Sequence, residues 1–501
     1  MSDRRRTRIP APPGVAHARD LGRRPAVAVV GAGIAGLAAA TALAERGVAV
    51  TVFEREEYAG GRAGGWPHTL ADGSAVTMSR GFHAFFRQYY NLRALLRRTD
   101  PGLDRLAPLH DYPLLDARGR TDTFAGLPRT PPWNALAFAL RSPTFRTADL
   151  LRLKPRAAWP LVTVRVPEIY ERLDGIDAAT FLERLNFPLA ARHLAFEVFS
   201  RSFFADPGRL SAAELAVMFH LYFLGSSEGL VFDVPTEPFS QALWDPLVGY
   251  LSTSDVSVRL GVAVSSIDRD RTGRLVVHPG DGPALPVDAV VLACDPGGLR
   301  RLVAASPALG DDAWRNRVAA VREAPPFLVR RLWLDRGVAP ERSPFLGTGS
   351  LRPLDNISVL DRYEGEAGRW AVKTGGSVVE LHAYAVDTAD RAAVSRRALD
   401  RLHALYPETA GARIVDEVSL WRQDCPLFGV GTFPARPTVT TPDPDVVLAG
   451  DGIRVDLPVA LMERAATTGF TAAGVLLAGW GLAGHPLTTV PNHGRFAVRR
   501  R

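Results

Sequence analysis

Gly31-Ala32-Gly33-Ile34-Ala35-Gly36, with Glu54 eighteen residues beyond its last glycine, carries the most direct chemical signal in the chain. This pattern suits a dinucleotide. Gly31 permits a tight turn, Gly33 lets backbone approach a pyrophosphate, and Gly36 lets a helix pack closely on a sheet. Ile34 and Ala35 lie within the turn, beside the cofactor, and the helix that follows has free N–H groups and a positive dipole that favour phosphate. The Glu54 carboxylate is placed to accept hydrogen bonds from the ribose hydroxyls. Arg55 follows it, and then a second glycine run, Gly60-Gly61-Arg62-Ala63-Gly64-Gly65. The Arg62 guanidinium could wrap the same pyrophosphate through charge-assisted hydrogen bonds.

A second stretch, Met78 to Leu92, is unusually aromatic and holds one histidine. His83 admits two readings: a general base or ring-orienting group, or a satisfied buried histidine that holds its loop. Phe82, Phe85, Phe86 and Tyr89 are expected to line an apolar channel in part and to serve as core in part. Trp244 and Trp333 default to core. Asp206, Glu214 and Glu228 read as surface carboxylates or caps.

The elements that must position these groups follow from hydrophobic pattern. Ala26–Val30 reads as a fully buried strand, Leu37–Arg46 as a small-residue helix stopped at Gly47, and Val48–Phe53 as a second strand. Val258–Val264 and Val287–Cys294 read as further strands, and Leu210–Leu224 as helix. Near the C-terminal end, the apolar strand Val446–Ala449 precedes Gly450-Asp451-Gly452, with a helical run around Leu461-Met462-Glu463-Arg464 beyond it.

Taken together, the first glycine turn, the Gly-Gly-Arg loop and the distal Gly-Asp with its helix resemble the flavin-containing amine oxidase and carotenoid desaturase superfamily. The Gly81-x-His83-x-Phe85-Phe86 and Tyr89-Tyr90-Asn91-Leu92 pattern is similar to the plant-type carotenoid desaturases, and within them to carotenoid β-ring desaturase/methyltransferases of the isorenieratene synthase type. The resemblance implies FAD as cofactor. It implies that Asp451 and Gly450 meet the ribityl or pyrophosphate region, that Leu461 and Met462 offer N–H groups to the flavin ring, and that Val264 contacts adenine. It further implies that Gly81, Phe82 and His83 pass beside the isoalloxazine. Thr468 stands where the family commonly has serine. Ser79 stands where this branch often has an acidic residue, so a fixed carboxylate near the flavin is missing from that place.

The implied fold class is α/β: a glutathione-reductase-type, Rossmann-like FAD-binding domain with an inserted substrate domain of antiparallel sheet plus helices. Residues 26–100, 255–300 and 440–490 are expected to form the first, and 101–254 and 301–439 the second. The implied reaction is desaturation of the β-ionone ring of a cyclic carotenoid, coupled to a 1,2-methyl shift that leaves an aromatic ring. Oxygen or a quinone would reoxidise the flavin. Two alternatives stay open: an FAD enzyme acting on linear carotenoids as desaturase, isomerase or saturase, and a redox-silent flavoprotein that binds membrane lipid.

Composition narrows the remaining classes. The chain has 501 residues, 47% hydrophobic, with two cysteines, Cys294 and Cys425. That excludes a disulfide scaffold and a four-cysteine zinc or iron–sulfur site. Eleven histidines without paired spacing point away from metal catalysis. The net charge is +7, and no zinc-finger, basic-zipper or RNP pattern supports a nucleic-acid partner. Residues 1–25, with seven arginines, are expected to be a disordered basic tail, and 491–501 another. Pro131–Val166 combines Trp133, Phe138, Leu140, Leu151 and Trp159 with Arg141, Arg146, Arg152, Lys154 and Arg156. Such a mixture suits broken helices lying in a bilayer interface, hence a cytoplasmic protein held peripherally on the inner face of the cell membrane.

Overall fold

The computed structural model describes residues 3–145, 147–195, 203–280 and 282–495. Its nucleotide-type half is a five-stranded, wholly parallel sheet in the order Ser257–Arg259, Ala49–Phe53, Ala26–Val30, Ala289–Leu292, Val446–Leu448. Strands covered on both faces read as unbroken apolar runs, which is why AVAVV and AVVL carry no alternation. The first crossover is the helix Ile34–Ala44, every residue of which is buried. Its alanines let the long helix Leu461–Gly479 approach closely: a Cβ on Gly469 would lie 2.3 Å from the Ala35 carbonyl oxygen. The stretch expected as one strand, Val258–Val264, is two, because the parallel strand Ser257–Arg259 ends before an antiparallel hairpin strand, Val264–Arg269, begins.

The other half is a seven-stranded sheet in the order Ile414–Arg422, Phe327–Leu334, Ser377–Ala383, Leu354–Val359, Phe345–Leu351, Leu114–Leu115, Thr121–Asp122. It is antiparallel except at one join, where Gly347 pairs in parallel with Leu114. Strand Phe327–Leu334 is buried along its whole length although it contains Arg330 and Arg331. Arg331 is satisfied inside the protein by the Glu380 carboxylate, at 2.9 Å. The expected helix over Leu210–Leu224 runs as an α-helix from Ala212 to Phe219 and widens into a π-type turn over His220–Leu224.

The N-terminal segment corrects the expectation of a disordered tail. Thr7–Ile9 pairs antiparallel with Leu487–Thr489, and buried Asp3 donates its N–H to Glu228 at 2.9 Å. The pairing offers backbone partners that composition cannot reveal. Residues 491–495 are likewise held, with the Gly494 N–H donating to the Val164 carbonyl at 2.7 Å; 496–501 lie outside the described residues. Residues 196–202 lie outside them as well. Among the described residues no helix is long and apolar enough to cross a membrane.

Candidate active site

The first glycine turn is built by contacts that leave no room for side chains on two sides and room on the third. Gly31 has φ +110°, and a Cβ there would meet the Ala293 carbonyl oxygen at 2.5 Å. A Cβ on Gly36 would lie 1.8 Å from the Gly31 carbonyl oxygen. Gly33 differs: nothing in the protein comes nearer to its Cβ position than Gly61 Cα, at 3.9 Å. The second glycine loop lies against the first, with the Gly60 N–H donating to the Ala32 carbonyl at 2.8 Å.

These turns open on one continuous cavity of about 680 Å³, within the range of ligand pockets. At the end beside the first glycine turn it is lined by Gly31, Gly33, Ile34, Ala35, Glu54, Arg55 and Val264. Glu54 is buried, which pushes its carboxyl above the usual range. It accepts from the Ala32 N–H at 2.8 Å and the Glu56 N–H at 3.0 Å, so part of its capacity goes to holding the turn.

Gly61, Arg62, Gly450, Asp451, Leu461 and Met462 line the middle. Arg62 ion-pairs with Asp451. Against the burial that would lower it, Asp451 keeps the guanidinium firmly charged. The Gly450 N–H donates to the Thr468 hydroxyl at 2.9 Å, so threonine supplies an oxygen there. The helix Leu461–Gly479 begins on the cavity wall with no side chain capping it. A long helix with an open N-terminus favours negative charge in front of it.

The far end is aromatic. Phe82 packs on Phe345 at 4.6 Å and edge-on to Phe232 at 5.5 Å, and Phe86 lies 4.6 Å from Tyr222. Tyr89 reaches the wall while its hydroxyl meets that of Tyr222 at 2.5 Å. His83 Nδ1 lies 2.8 Å from the Gly81 carbonyl and so carries the proton, leaving Nε2 as acceptor. Burial, chiefly, lowers its pKa to about 4, so the ring is neutral at pH 7.

Three residues expected in the site stand off the cavity. Phe85 and Phe86 form a two-residue strand, and successive side chains of a strand point to opposite faces. Phe86 therefore faces the cavity while Phe85 is fully buried beside Phe239. Gly36 packs helix on turn. Gly81, with φ +98°, backs onto His382, where a Cβ would come within 2.6 Å of the ring. Trp244 and Trp333 are core. Glu214, expected at the surface, is buried between Arg436 and Arg464. Among the described residues no cluster suited to a metal occurs.

Sequence reasoning missed Glu380, His382 and Tyr384. His382 and Tyr384 line the aromatic end. They alternate along the strand Ser377–Ala383 and its first following residue, and that two-residue spacing of Glu, His and Tyr was the available signal. Arg331 joins them to Ser79: its Nη2 donates to the Ser79 hydroxyl at 2.7 Å and its Nε to Glu380 at 2.9 Å. A fixed carboxylate is thus present near Ser79 after all, brought in from a distant strand.

On the surface, Trp133 is 60% exposed, Leu140 61%, Leu151 88% and Trp159 53%. All four sit on three short helices, Trp133–Arg141, Thr147–Leu151 and Pro155–Val162. Arg146 lies outside the described residues.

The sequence profile of the flavin containing amine oxidoreductase family matches residues 34–477. The chain is 62% identical over 500 residues to the carotenoid phi-ring synthase of Streptomyces griseus, covering 100% of this chain and 96% of that protein. It is 28% identical over 590 residues to the carotenoid phi-ring synthase of Chlorobaculum tepidum, covering 94% and 91%. Among solved structures, cyclohexylamine oxidase from Brevibacterium oxydans is similar with a TM-score of 0.64 at 17% identity, covering 91% of this chain and 99% of that one.

Proposed function

From the premise that this chain belongs to the flavin-containing amine oxidoreductase family, we propose that it converts the β-ring of a cyclic carotenoid to an aromatic ring by desaturation with a 1,2-methyl shift. The chain is an FAD-dependent oxidoreductase with FAD as its cofactor. The residues present fit FAD: Gly33 leaves open space that a pyrophosphate would enter, Glu54 lines the same end where it would meet a ribose, and an uncapped helix begins on the wall of the middle. When bound, FAD supplies a hydride acceptor.

The observation that carries the substrate class is the continuity of one cavity from the glycine cradle to aromatic walls. The two phi-ring synthase relatives point to the same substrate class. Loss of hydride from a β-ring leaves a carbocation, which a neighbouring methyl group can relieve by migrating. Aromatic faces at Phe82, Phe86, Phe232 and Phe345 attract positive charge and exclude water that would trap it. The neutral His83 adds no positive charge beside that centre.

A C40 hydrocarbon is delivered from lipid. The exposed tryptophans and leucines at 133–159, flanked by Arg141 and Arg152, support peripheral attachment to an anionic membrane, consistent with the cytoplasmic inner face. Oxygen or a quinone is the proposed terminal acceptor.

Purified holoprotein incubated with β-carotene, and separately with phytoene and lycopene, tests this reading. Aromatic product from the cyclic substrate alone is expected. Turnover of only the linear polyenes would overturn it in favour of a linear desaturase. No anaerobic bleaching of the flavin by any polyene would favour a lipid carrier.

A further inference from the structure

Glu380, His382 and Tyr384 form a hydrogen-bonded row that ends at the cavity. His382 Nε2 lies 2.7 Å from Glu380 Oε1, and His382 Nδ1 lies 2.5 Å from the Tyr384 hydroxyl. The Phe82 N–H also points toward Nε2, but at 3.4 Å. Since the carboxylate contact is much the shorter, Nε2 carries the ring proton and Nδ1 is the acceptor. The Tyr384 hydroxyl therefore donates to Nδ1. It also accepts from Asn356 Nδ2 at 3.2 Å, and the Tyr384 N–H is tied to Asp355 at 2.6 Å.

Glu380 is held rigidly at the other end. Arg331 donates to its second oxygen and anchors on the Thr77 carbonyl at 3.0 Å and on Ser79. Burial works against the charged form, yet Arg331 and His382 keep the Glu380 carboxyl at about 2. An ionised carboxylate against one imidazole nitrogen fixes the tautomer and stabilises the ring when it takes a second proton, the logic of serine hydrolase triads with a phenol in place of the alcohol.

We propose that Tyr384, backed by His382 and oriented by Glu380, is the proton acceptor of the ring-oxidation chemistry. This inference rests on the β-ring reading above. After hydride loss to FAD and methyl migration, the ring cation carries a C–H bond next to the positive centre. Tyr384 oxygen takes that proton as the C–H electron pair becomes the new C=C bond. In the same step the phenol's own proton passes to His382 Nδ1, giving an imidazolium held by Glu380. A proton beside a carbocation leaves readily, so position matters more than basicity. Behind the row, a pocket of about 20 Å³ lined in part by Arg331, Glu364 and Glu380 has room for one water through which the proton departs.

The test uses FAD-loaded full-length protein and the Tyr384→Phe variant, which removes one oxygen and keeps the ring. Expected are unchanged flavin content, unchanged KM for β-carotene and a kcat lower by about 100-fold or more, the range of general acid–base catalysis. Undiminished kcat at full flavin content would overturn the assignment. Should Tyr384→Phe lose flavin, His382→Gln gives the same kcat comparison. Independently of substrate, nitrogen-15 signals of His382, assigned by their loss in His382→Gln, report its tautomer. A proton on Nε2 supports the relay, and a proton on Nδ1 overturns it. Wild-type protein that leaves β-carotene unchanged would defeat the β-ring reading instead, with the relay then judged on the tautomer alone.

Discussion

Adding one methyl group at Gly33 and at Gly36 should separate cofactor binding from folding. At Gly36 the new Cβ would sit 1.8 Å from the Gly31 carbonyl oxygen and 3.3 Å from Ala293 Cβ. Neither neighbour is the far end of a flexible side chain, so turn, helix and sheet must separate. The cost should be at the top of the overpacking range, about 3 kcal/mol or more. At Gly33 the same methyl meets nothing within 3.9 Å except empty cavity, and φ there is −72°, ordinary for alanine. The apoprotein should therefore keep its stability to within about 1 kcal/mol. Its FAD affinity should fall, because the methyl occupies the space a pyrophosphate must enter. An overlap of about 1–3 kcal/mol corresponds to roughly 5–150-fold in Kd. Flavin titration of apoprotein measures the second effect, and urea unfolding of the same samples measures the first. Gly33→Ala with wild-type FAD affinity would refute the placement of the pyrophosphate. Equal unfolding by both variants would refute the claim that one glycine faces ligand and the other faces protein.

Arg141→Glu with Arg152→Glu should weaken binding to anionic liposomes by about 30-fold at low salt, from roughly 1 kcal/mol per basic residue lost, and undiminished sedimentation with vesicles would refute the membrane contact. Phe85→Ala should destabilise by about 3–5 kcal/mol, whereas Phe86→Ala should chiefly change turnover, as chemical denaturation beside steady-state assays would reveal. Glu214 is held near 2, against an ordinary 4.5, by Arg464 and Arg436 despite a burial effect of opposite sign. A depressed folded-state pKa means that this stabilisation is complete above pH 4.5 and is lost as pH falls toward 2. The gap of 2.5, from 4.5 less 2, corresponds to about 3 kcal/mol. Unfolding free energy followed through that window should fall less steeply in Glu214→Gln.

Local pattern was enough for the parts of this protein whose geometry is local. The glycine turn with its strand and helix, and Gly450-Asp451 between an apolar strand and the helix beyond it, are fixed by residues close together in the chain, so spacing along the chain reveals them. Parallel strands buried on both faces announce themselves as apolar runs for the same reason. What pattern could not supply was any fact resting on a partner far away in sequence. Ser79 looked like a missing carboxylate, and only the sheet brings Arg331 and Glu380 to it. The arginine-rich N-terminus looked disordered because its pairing partner, Leu487–Thr489, lies almost the whole chain away. Phe85 and Phe86 were indistinguishable as residues, and the pleat of one short strand sent the first into the core and the second to the cavity. The Glu380–His382–Tyr384 row likewise acquires chemistry only when one face of its strand is laid against the loop at Gly81. Burial and long-range contact fix which polar groups lose water and which neighbours replace it, and neither quantity exists until the chain has closed on itself.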